Sequence, residues 1–393
     1  MQKVIDAEKC FACGACLNVC PKNAIDFKTD KYGFFSADID EEKCIDCHLC
    51  IKVCPAISSF NGREIGDVYA ATLKNKEEIK KCASGGAFSA IAHCVLDKGG
   101  VIVGCAFDSE MMPHHIIVDK ENALDSIRSS KYVQSYIGEI HKEIKDNLNA
   151  GRLTLFSGTP CQVAGLLGCL GKEYSNLITC DLICHGVPSS LLWKDYLAYE
   201  EHKLGEKIDG ANFRSKKRGW GPTILELKLA SGKVIYRNSI ESSYYHMFLK
   251  GACYRDSCYT CPFSNSLRAG DFTIGDFWGV KEENPKLFSR HGVSVISFNT
   301  EKAENLREEI SQYTTLNKIE ISSVQKHNRA LREPVAKQDL GYLEAWKAGG
   351  FEAVDVKYDP IRRKLLRASR KREFKTNIKF FLRKINFIKK NKV

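Results

Sequence analysis

The sequence has no run approaching the about 20 consecutive apolar residues that a membrane-spanning helix needs. Its opening, "MQKVIDAEKC", has no apolar core of the kind a secretory signal peptide carries, so the expected location is cytoplasmic. There is no low-complexity segment. There is no Gly-x-Gly-x-x-Gly either, so no Rossmann fingerprint for a bound nicotinamide is present, although a nicotinamide substrate stays open. Positive charge is missing from most of the chain. The formal net charge is +11, but residues 357–393 hold 15 Lys or Arg against Asp359 and Glu373, a net of +13 that leaves −2 for the remainder. A general nucleic-acid surface is thereby excluded from the body, and no nucleic-acid partner is expected.

Cysteine, by contrast, is plentiful, with 18 residues in a chain of 393. That length allows two or three domains with a sizeable core. Without a leader, this many cysteines points to a reducing compartment and thiolate ligands rather than disulfides. Eight of them form two echoing runs, "CFACGACLNVCP" (10–21) and "CIDCHLCIKVCP" (44–55). Each reads Cys-x2-Cys-x2-Cys-x3-Cys-Pro. Two-residue gaps let three sulfurs of one loop face a single metal cube, while the fourth faces away and ligates the other cube. Cys10, Cys13, Cys16 and Cys54 are therefore expected to hold one 4Fe-4S cluster, and Cys44, Cys47, Cys50 and Cys20 the second. Structural zinc would need only paired cysteines, with neither the third cysteine nor the proline. The unit resembles a bacterial two-cluster ferredoxin.

A Ser/Asn/Gly-rich break, "SSFNGREIG", ends this unit, giving a first domain over 1–60. Strand and helix patterns then alternate. "SGGAFSAIAHCVLDKGG" reads as a helix with Ser84 as a candidate N-cap, Ala87, Ala90, Ile91, Cys94 and Val95 on one face, and Gly99 at its end. "VIVGCAF", "RLTLF" and "NLITCDLI" read as strands. Ile137, Ile140, Ile144 and Leu148 mark another helix. Thr159 and Pro160 look like the N-cap and first residue of the helix "PCQVAGLLGCL". This order predicts an α/β domain with parallel strands over 66–345, becoming mixed α+β in its second half, followed by a basic helical tail over 346–393.

Ten cysteines remain. Cys94, Cys105, Cys169 and Cys180 sit in apolar patterns and read as core filler. Cys82 is ambiguous. Cys161 and Cys184 each follow a predicted strand at its C-terminal end. If those strands are neighbours they stand roughly 5 Å apart, on the sheet edge where α/β proteins bind ligands. Cys161 also falls in the first turn of a helix, whose dipole favours a thiolate. With Cys258 and Cys261 of "CYTC" these make a four-thiolate set for a third 4Fe-4S cluster, with Cys253 in reserve. A redox-active Cys-x-x-Cys beside two unrelated core cysteines is the other reading. "HH" at 114–115 has no metal-ligand companions at the right spacing.

The segments "ASGGAFSA" (83–90), "SSKYVQS" (129–135), "LFSGTPCQVAGLL" (155–167), "CDLICHGVPSSLLWKDYL" (180–197), "FRSKKRGW" (213–220) and "CYTCPF…GDFTIGDFWG" (258–279) occur in order. In these the chain resembles the beta subunit of coenzyme F-420-reducing hydrogenases and dehydrogenases, a family that includes 7-hydroxymethyl chlorophyll a reductase. The resemblance implies FAD beside a 4Fe-4S cluster, with a fused two-cluster ferredoxin in front. It places Ser84, Gly85 and Gly86 at a flavin pyrophosphate, with Lys131, Tyr132 and Ser135 against the flavin. Lys131 would stabilise the reduced ring by charge. Ser157, Gly158 and Thr159 would bridge flavin and cluster. His185 and Asp276 become candidate proton donors.

The expected function is an iron-sulfur flavoprotein oxidoreductase. Electrons would pass from ferredoxin or another donor through the clusters to FAD and on to an organic acceptor. The alternative is a non-catalytic subunit relaying electrons to a partner enzyme. In the tail, Phe374, Ile378, Phe381, Ile385 and Ile388 recur at helical spacing, which suits peripheral contact with a membrane or a partner.

Overall fold

The computed structural model describes residues 4–58, 62–221, 223–338 and 340–390, with the backbone alone from residue 372 onward. The front unit begins with helix α1 (Ala15–Val19), continues through the antiparallel hairpin β1 (Ile25–Thr29) and β2 (Phe35–Ile39), and ends on the helical turn α2 (Leu49–Lys52). The sequence duplication is written into the backbone. Ala12 and Asp46, each two residues after the first cysteine of its run, both take left-handed φ (50° and 55°), as do Gly14 and His48 four residues after it (81° and 58°). Such residues curl the loop so that amides turn toward sulfur. The Ala12 amide donates to Cys10 Sγ at 3.3 Å and the Ala24 amide to Cys20 Sγ at 3.2 Å.

The large domain follows as β3 (Asp67–Leu73), α3 (Ala87–Leu96), β4 (Val101–Phe107), β5 (Pro113–Val118), α4 (Ile140–Asn149), β6 (Thr154–Gly158), α5 (Pro160–Leu170), β7 (Leu177–Leu182) and α6 (Ser190–Leu204). Then come β8 (Ile208–Asn212), β9 (Ile224–Leu229), β10 (Val234–Asn238), α7 (Ser243–Lys250), β11 (Phe272–Asp276), β12 (Ser294–Phe298), β13 (Thr314–Lys318) and α8 (Tyr342–Lys390). Eight strands form one sheet in the order β13-β3-β12-β11-β7-β6-β4-β5. Its centre, β4, β6, β7 and β11, is parallel, and the flanking strands are antiparallel. Strands β8–β10 form a separate antiparallel sheet. The expected mixed α/β domain is thus observed.

Helix α3 buries the face expected of it, with Ala90, Ile91 and Val95 fully enclosed against the sheet. Removing each such side chain from water contributes about 1.5–3 kcal/mol for the aliphatic ones. Its N-cap is Gly86 in the left-handed region, not Ser84, whose hydroxyl instead donates to the Val293 carbonyl at 2.9 Å. Thr159 and Pro160 do start α5 as expected, and Gln162 closes a capping box with Thr159.

A second core is aromatic, built on Trp193, Tyr196, Phe213, Tyr244 and Tyr245. The first part of α8 belongs to it: Trp346, Phe351, Val354 and Tyr358 are buried there, and Arg362 pairs with Asp355 at 2.7 Å. A tail beginning at 346 is therefore corrected. The chain is integral to the body at least through Tyr358, because these residues complete a core that α6 and α7 leave open. The apolar tail positions Phe374, Ile378, Phe381, Ile385 and Ile388 lie outside the described side chains. Among the described residues, no helix is long and apolar enough to cross a membrane.

Candidate electron-transfer centre

No two of the 18 cysteines are joined in a disulfide. In the front unit, burial and then the charges of Cys10 and Cys54 push Cys16 up to about 12, and Cys54 in turn feels Cys10, so these sulfurs face one another. Cys13 is raised by burial, then by Cys16, Cys161 and Cys54. Cys20, Cys44, Cys47 and Cys50 line a small cavity of about 30 Å³. The two groupings are those that the spacing predicts, the fourth cysteine of each run crossing to the other set. Cys47 is exposed, whereas Cys10, Cys13, Cys16 and Cys54 are buried.

Strands β6 and β7 are parallel neighbours, with Gly158 opposite Asp181. Cys161, in the first turn of α5, and Cys184, past the end of β7, therefore share one sheet edge. Cys258 and Cys261 come to the same place from the loop before β11. Each thiol is raised by burial. Cys161 (to about 11) then feels Cys261, Cys258 (to about 12) feels Cys161 and Cys261, and Cys184 feels Cys258, Cys161 and Cys261. Cys253 is buried among tyrosines and perturbed by burial alone, so it stands apart from this set.

The donor sets offer thiolates alone, the ligand type that iron-sulfur clusters take.

The front unit is seated on α5. A Cβ added at Gly165 would lie 2.7 Å from Cys13 Sγ, and one at Gly168 would lie 2.8 Å from the Val53 carbonyl. The missing side chains let the helix that carries Cys161 in its first turn touch the loop of the first thiolate set. Asn18 anchors the contact by donating to the Gly138 carbonyl at 2.8 Å, and Phe11 meets Phe263 edge to face at 5.6 Å.

On the other side lies a cavity of about 860 Å³, within the size range of cofactor sites. Lys80, Lys81, Lys131, Lys216, Lys217 and Arg290 give its lining a cationic character. Burial lowers both Lys131 and Lys216 to about 8. Lys131 donates to the carbonyls of Ser126 and Arg128 at 2.9 Å and Ser129 at 3.4 Å, so its charge faces the cavity while its protons are already engaged. A polar chain runs from it to the third set. Lys131 and Ser135 both act on the Cys105 thiol. Ser135 accepts from Gln162 Nε2 at 2.9 Å, Gln162 Oε1 accepts from the Thr159 amide at 3.0 Å, and Thr159 Oγ1 lies 3.1 Å from Cys161 Sγ.

Other expected site residues sit elsewhere. Ser84, Gly85 and Gly86 are not among the residues lining the cavity. Gly85 passes so close to the backbone that a Cβ would meet the Ala71 carbonyl at 2.1 Å, and Gly86 is pressed on Leu73. Their lack of side chains serves helix–sheet packing. Tyr132 stacks on Phe248 at 4.2 Å and accepts from Arg214 at 3.1 Å, within the aromatic core. Ser157 bonds the buried Cys180 thiol, and Gly158 ends β6. His115 of the "HH" pair is buried, which lowers it to about 4.

Asp276 is corrected as a proton donor. Burial pushes its carboxyl up, but the Arg214 charge and hydrogen bonds outweigh this and hold it below the usual carboxylate range. Arg214 donates to both of its oxygens at 2.6 and 2.7 Å, and Trp220 Nε1 donates at 2.7 Å. An acid so paired has no proton to give near neutrality. His185 is kept below its ordinary value by burial, partly opposed by Asp276.

Three residues of the centre carry roles that the sequence pattern left unassigned. Gln162 could have been found, since it stands three residues after Thr159 in the capping-box pattern. Gly165 and Asn18 carry no local signal, because their roles exist only where the front unit meets the large domain.

Comparison with known proteins agrees with this layout. Residues 151–324 match the family model for coenzyme F420 hydrogenase/dehydrogenase, C terminus of the beta subunit. Residues 9–57 match the 4Fe-4S dicluster domain. The chain thus joins a segment matching an iron-sulfur dicluster domain to one matching that family's model. No curated protein matches it. Among solved structures, a chain of the F420-reducing [NiFe] hydrogenase complex from Methanosarcina barkeri, studied by xenon derivatization, is similar at a TM-score of 0.45 and 14% identity, over 78% of this chain and 94% of that one.

Proposed function

We propose that this protein is an iron-sulfur flavoprotein oxidoreductase that takes single electrons from a ferredoxin-type donor protein and delivers them to an organic acceptor. In this reading the front unit holds two 4Fe-4S clusters, Cys161, Cys184, Cys258 and Cys261 hold a third, and FAD occupies the basic cavity. The observation that carries it is the position of the third thiol set, touching the Cys13 loop on one side and linked to the Lys131 cavity on the other.

The iron clusters and the flavin supply one- and two-electron redox chemistry when bound. The chain's own residues do the rest. Gly165 and Gly168 bring α5 against the front unit and shorten the gap between thiol sets. Lys216, Lys217 and Arg290 offer charge for a diphosphate, and Lys131 offers charge for an electron-rich ring. Gln162 fixes the N-terminus of α5, and with it Cys161, relative to Ser135. The paired Asp276–Arg214 unit shapes the wall beside His185. The basic tail is proposed to contact an anionic membrane surface or partner.

Anaerobically purified protein should contain about twelve iron atoms and twelve sulfides per chain, with one FAD. Cys184→Ala should lower the iron to about eight while leaving the front pair. Eight irons in the unaltered chain would remove the third cluster, and absence of flavin would remove the oxidoreductase reading. Reoxidation of the reduced flavin by small organic acceptors, with no second protein added, separates an enzyme from a relay subunit.

A further inference from the structure

Four arginines are buried among the described residues: Arg128, Arg214, Arg255 and Arg268. Three have carboxylate partners, Glu78 at 2.5 Å for Arg128, Asp276 at 2.6 Å for Arg214 and Asp181 at 2.7 Å for Arg268. Arg255 is 3% exposed and has no carboxylate partner within 4.0 Å among the described residues. A buried charge without a counter-charge is strongly unfavourable, so something must balance it.

Its surroundings indicate what that is. One Nη donates to the Cys10 carbonyl, to which Ser257 Oγ also donates at 3.0 Å. The other donates to the Phe35 carbonyl and reaches Gln134 Oε1 at 3.5 Å. The guanidinium stands over the Phe34 ring at 5.6 Å, and Nε has no partner among the described residues. The Arg255 amide donates to the Val187 carbonyl at 3.0 Å, three residues past Cys184. The Arg255 carbonyl accepts from the Cys258 amide at 3.0 Å. The side chain is thus clamped between the loop of the first thiol set and two loops of the third. Backbone carbonyls orient it but bring no net charge. Thiolates holding iron do.

We propose that Arg255 is the shared counter-cation of the first and third thiolate sets, balanced by the clusters they hold and favouring the reduced form of each. This rests on the reading that Cys161, Cys184, Cys258 and Cys261 hold a cluster. The Arg255 backbone is bonded to the Cys258 amide and to the Val187 carbonyl, so the charge stands beside the loops of the third set. A fixed positive charge nearby stabilises the more negative, reduced form. Arg255 is a positioning residue acting through charge and touches no substrate.

The test is an anaerobic redox titration of the full chain followed by electron paramagnetic resonance, with iron counted per chain. Arg255→Lys keeps the charge, Arg255→Gln removes it, and Ser257→Ala removes the neighbouring hydrogen bond alone. Arg255→Gln should make reduction of the third cluster about tenfold less favourable, a fall of about 59 mV for one electron. Arg255→Lys and Ser257→Ala should stay within about threefold of the unaltered chain. Failure of Arg255→Gln to load the third cluster while Arg255→Lys loads it also supports the proposal, since only charge separates them. An unmoved third midpoint in a fully loaded Arg255→Gln overturns it. So does loss of loading in both Arg255 variants but not in Ser257→Ala, which would make the role one of shape. Eight irons in the unaltered chain is a different failure, that of the third cluster itself.

Discussion

Asp276 shows how strongly a single partner decides what a titratable residue can do. In sequence it is a carboxylate at the end of a strand, on the edge where ligands bind. In the fold it is one half of a buried pair with Arg214. Asp276→Asn should therefore act through stability and not through a lost proton. Leaving Arg214 buried and unpaired costs about 3–5 kcal/mol, to be read as a lowered denaturation midpoint. The lysines of the cavity behave differently. Lys131 and Lys216 lose their protons near pH 8, about two units before a lysine in water, because burial disfavours their charge. An anionic ligand prefers them protonated. FAD should bind tightest below about pH 8 and weaken as pH rises through it, by about tenfold per charge pair lost. Flavin titrations at pH 7 and 9.5 check this, and Lys216→Met should flatten the profile.

At the scale of elements, α5 does two jobs with one helix. Its first turn presents Cys161 under a capping box, and its middle, at Gly165 and Gly168, receives the front unit. Gly165→Ala should cost about 1–3 kcal/mol through overpacking against Cys13. It should also slow the reduction of the flavin by electrons entering through the front unit, while reduction by a small reductant at the cavity is unchanged. Equal slowing of both would detach the helix from the electron path. The loop before β11 is the complementary element, since it brings Cys258, Cys261 and Arg255 to the sheet edge that β6 and β7 define.

At the scale of the whole molecule, the body is nearly neutral and the cationic charge is gathered at the C-terminal end. Helix α8 is broken at Gly349–Gly350 and still serves the aromatic core through Phe351, Val354 and Tyr358. Ending the chain after residue 345 removes Trp346, Phe351 and Tyr358, each worth about 3–5 kcal/mol as a truncated core aromatic, and should abolish folding. Ending it after residue 371 should leave the melting temperature within a few degrees. Loss of co-sedimentation with anionic vesicles in that shorter chain would locate a membrane contact in the tail, and equal binding by both chains would remove that proposal.

Much of this is legible in the order of residues alone. The eight front cysteines sort themselves by spacing, because short gaps leave a loop few ways to turn its sulfurs. The strands carrying Cys161 and Cys184, the cap at Thr159 and the buried face of α3 follow from periodicity and turn chemistry, which act over a few residues. At Gly85 and Gly86, a glycine that admits a ligand and one that admits a neighbouring strand look the same in one dimension. Arg214, Gly165 and Arg255 are invisible there for a related reason. A counter-charge or a close approach is a relation between segments far apart in the chain, and only the packing of the front unit on α5 and of β11 beside β7 brings those segments together. Local order and metal-ligand grouping were thus determined by the sequence itself. Which charges face which thiols was decided by the tertiary structure, since electrostatic forces depend on distance through space and not along the chain.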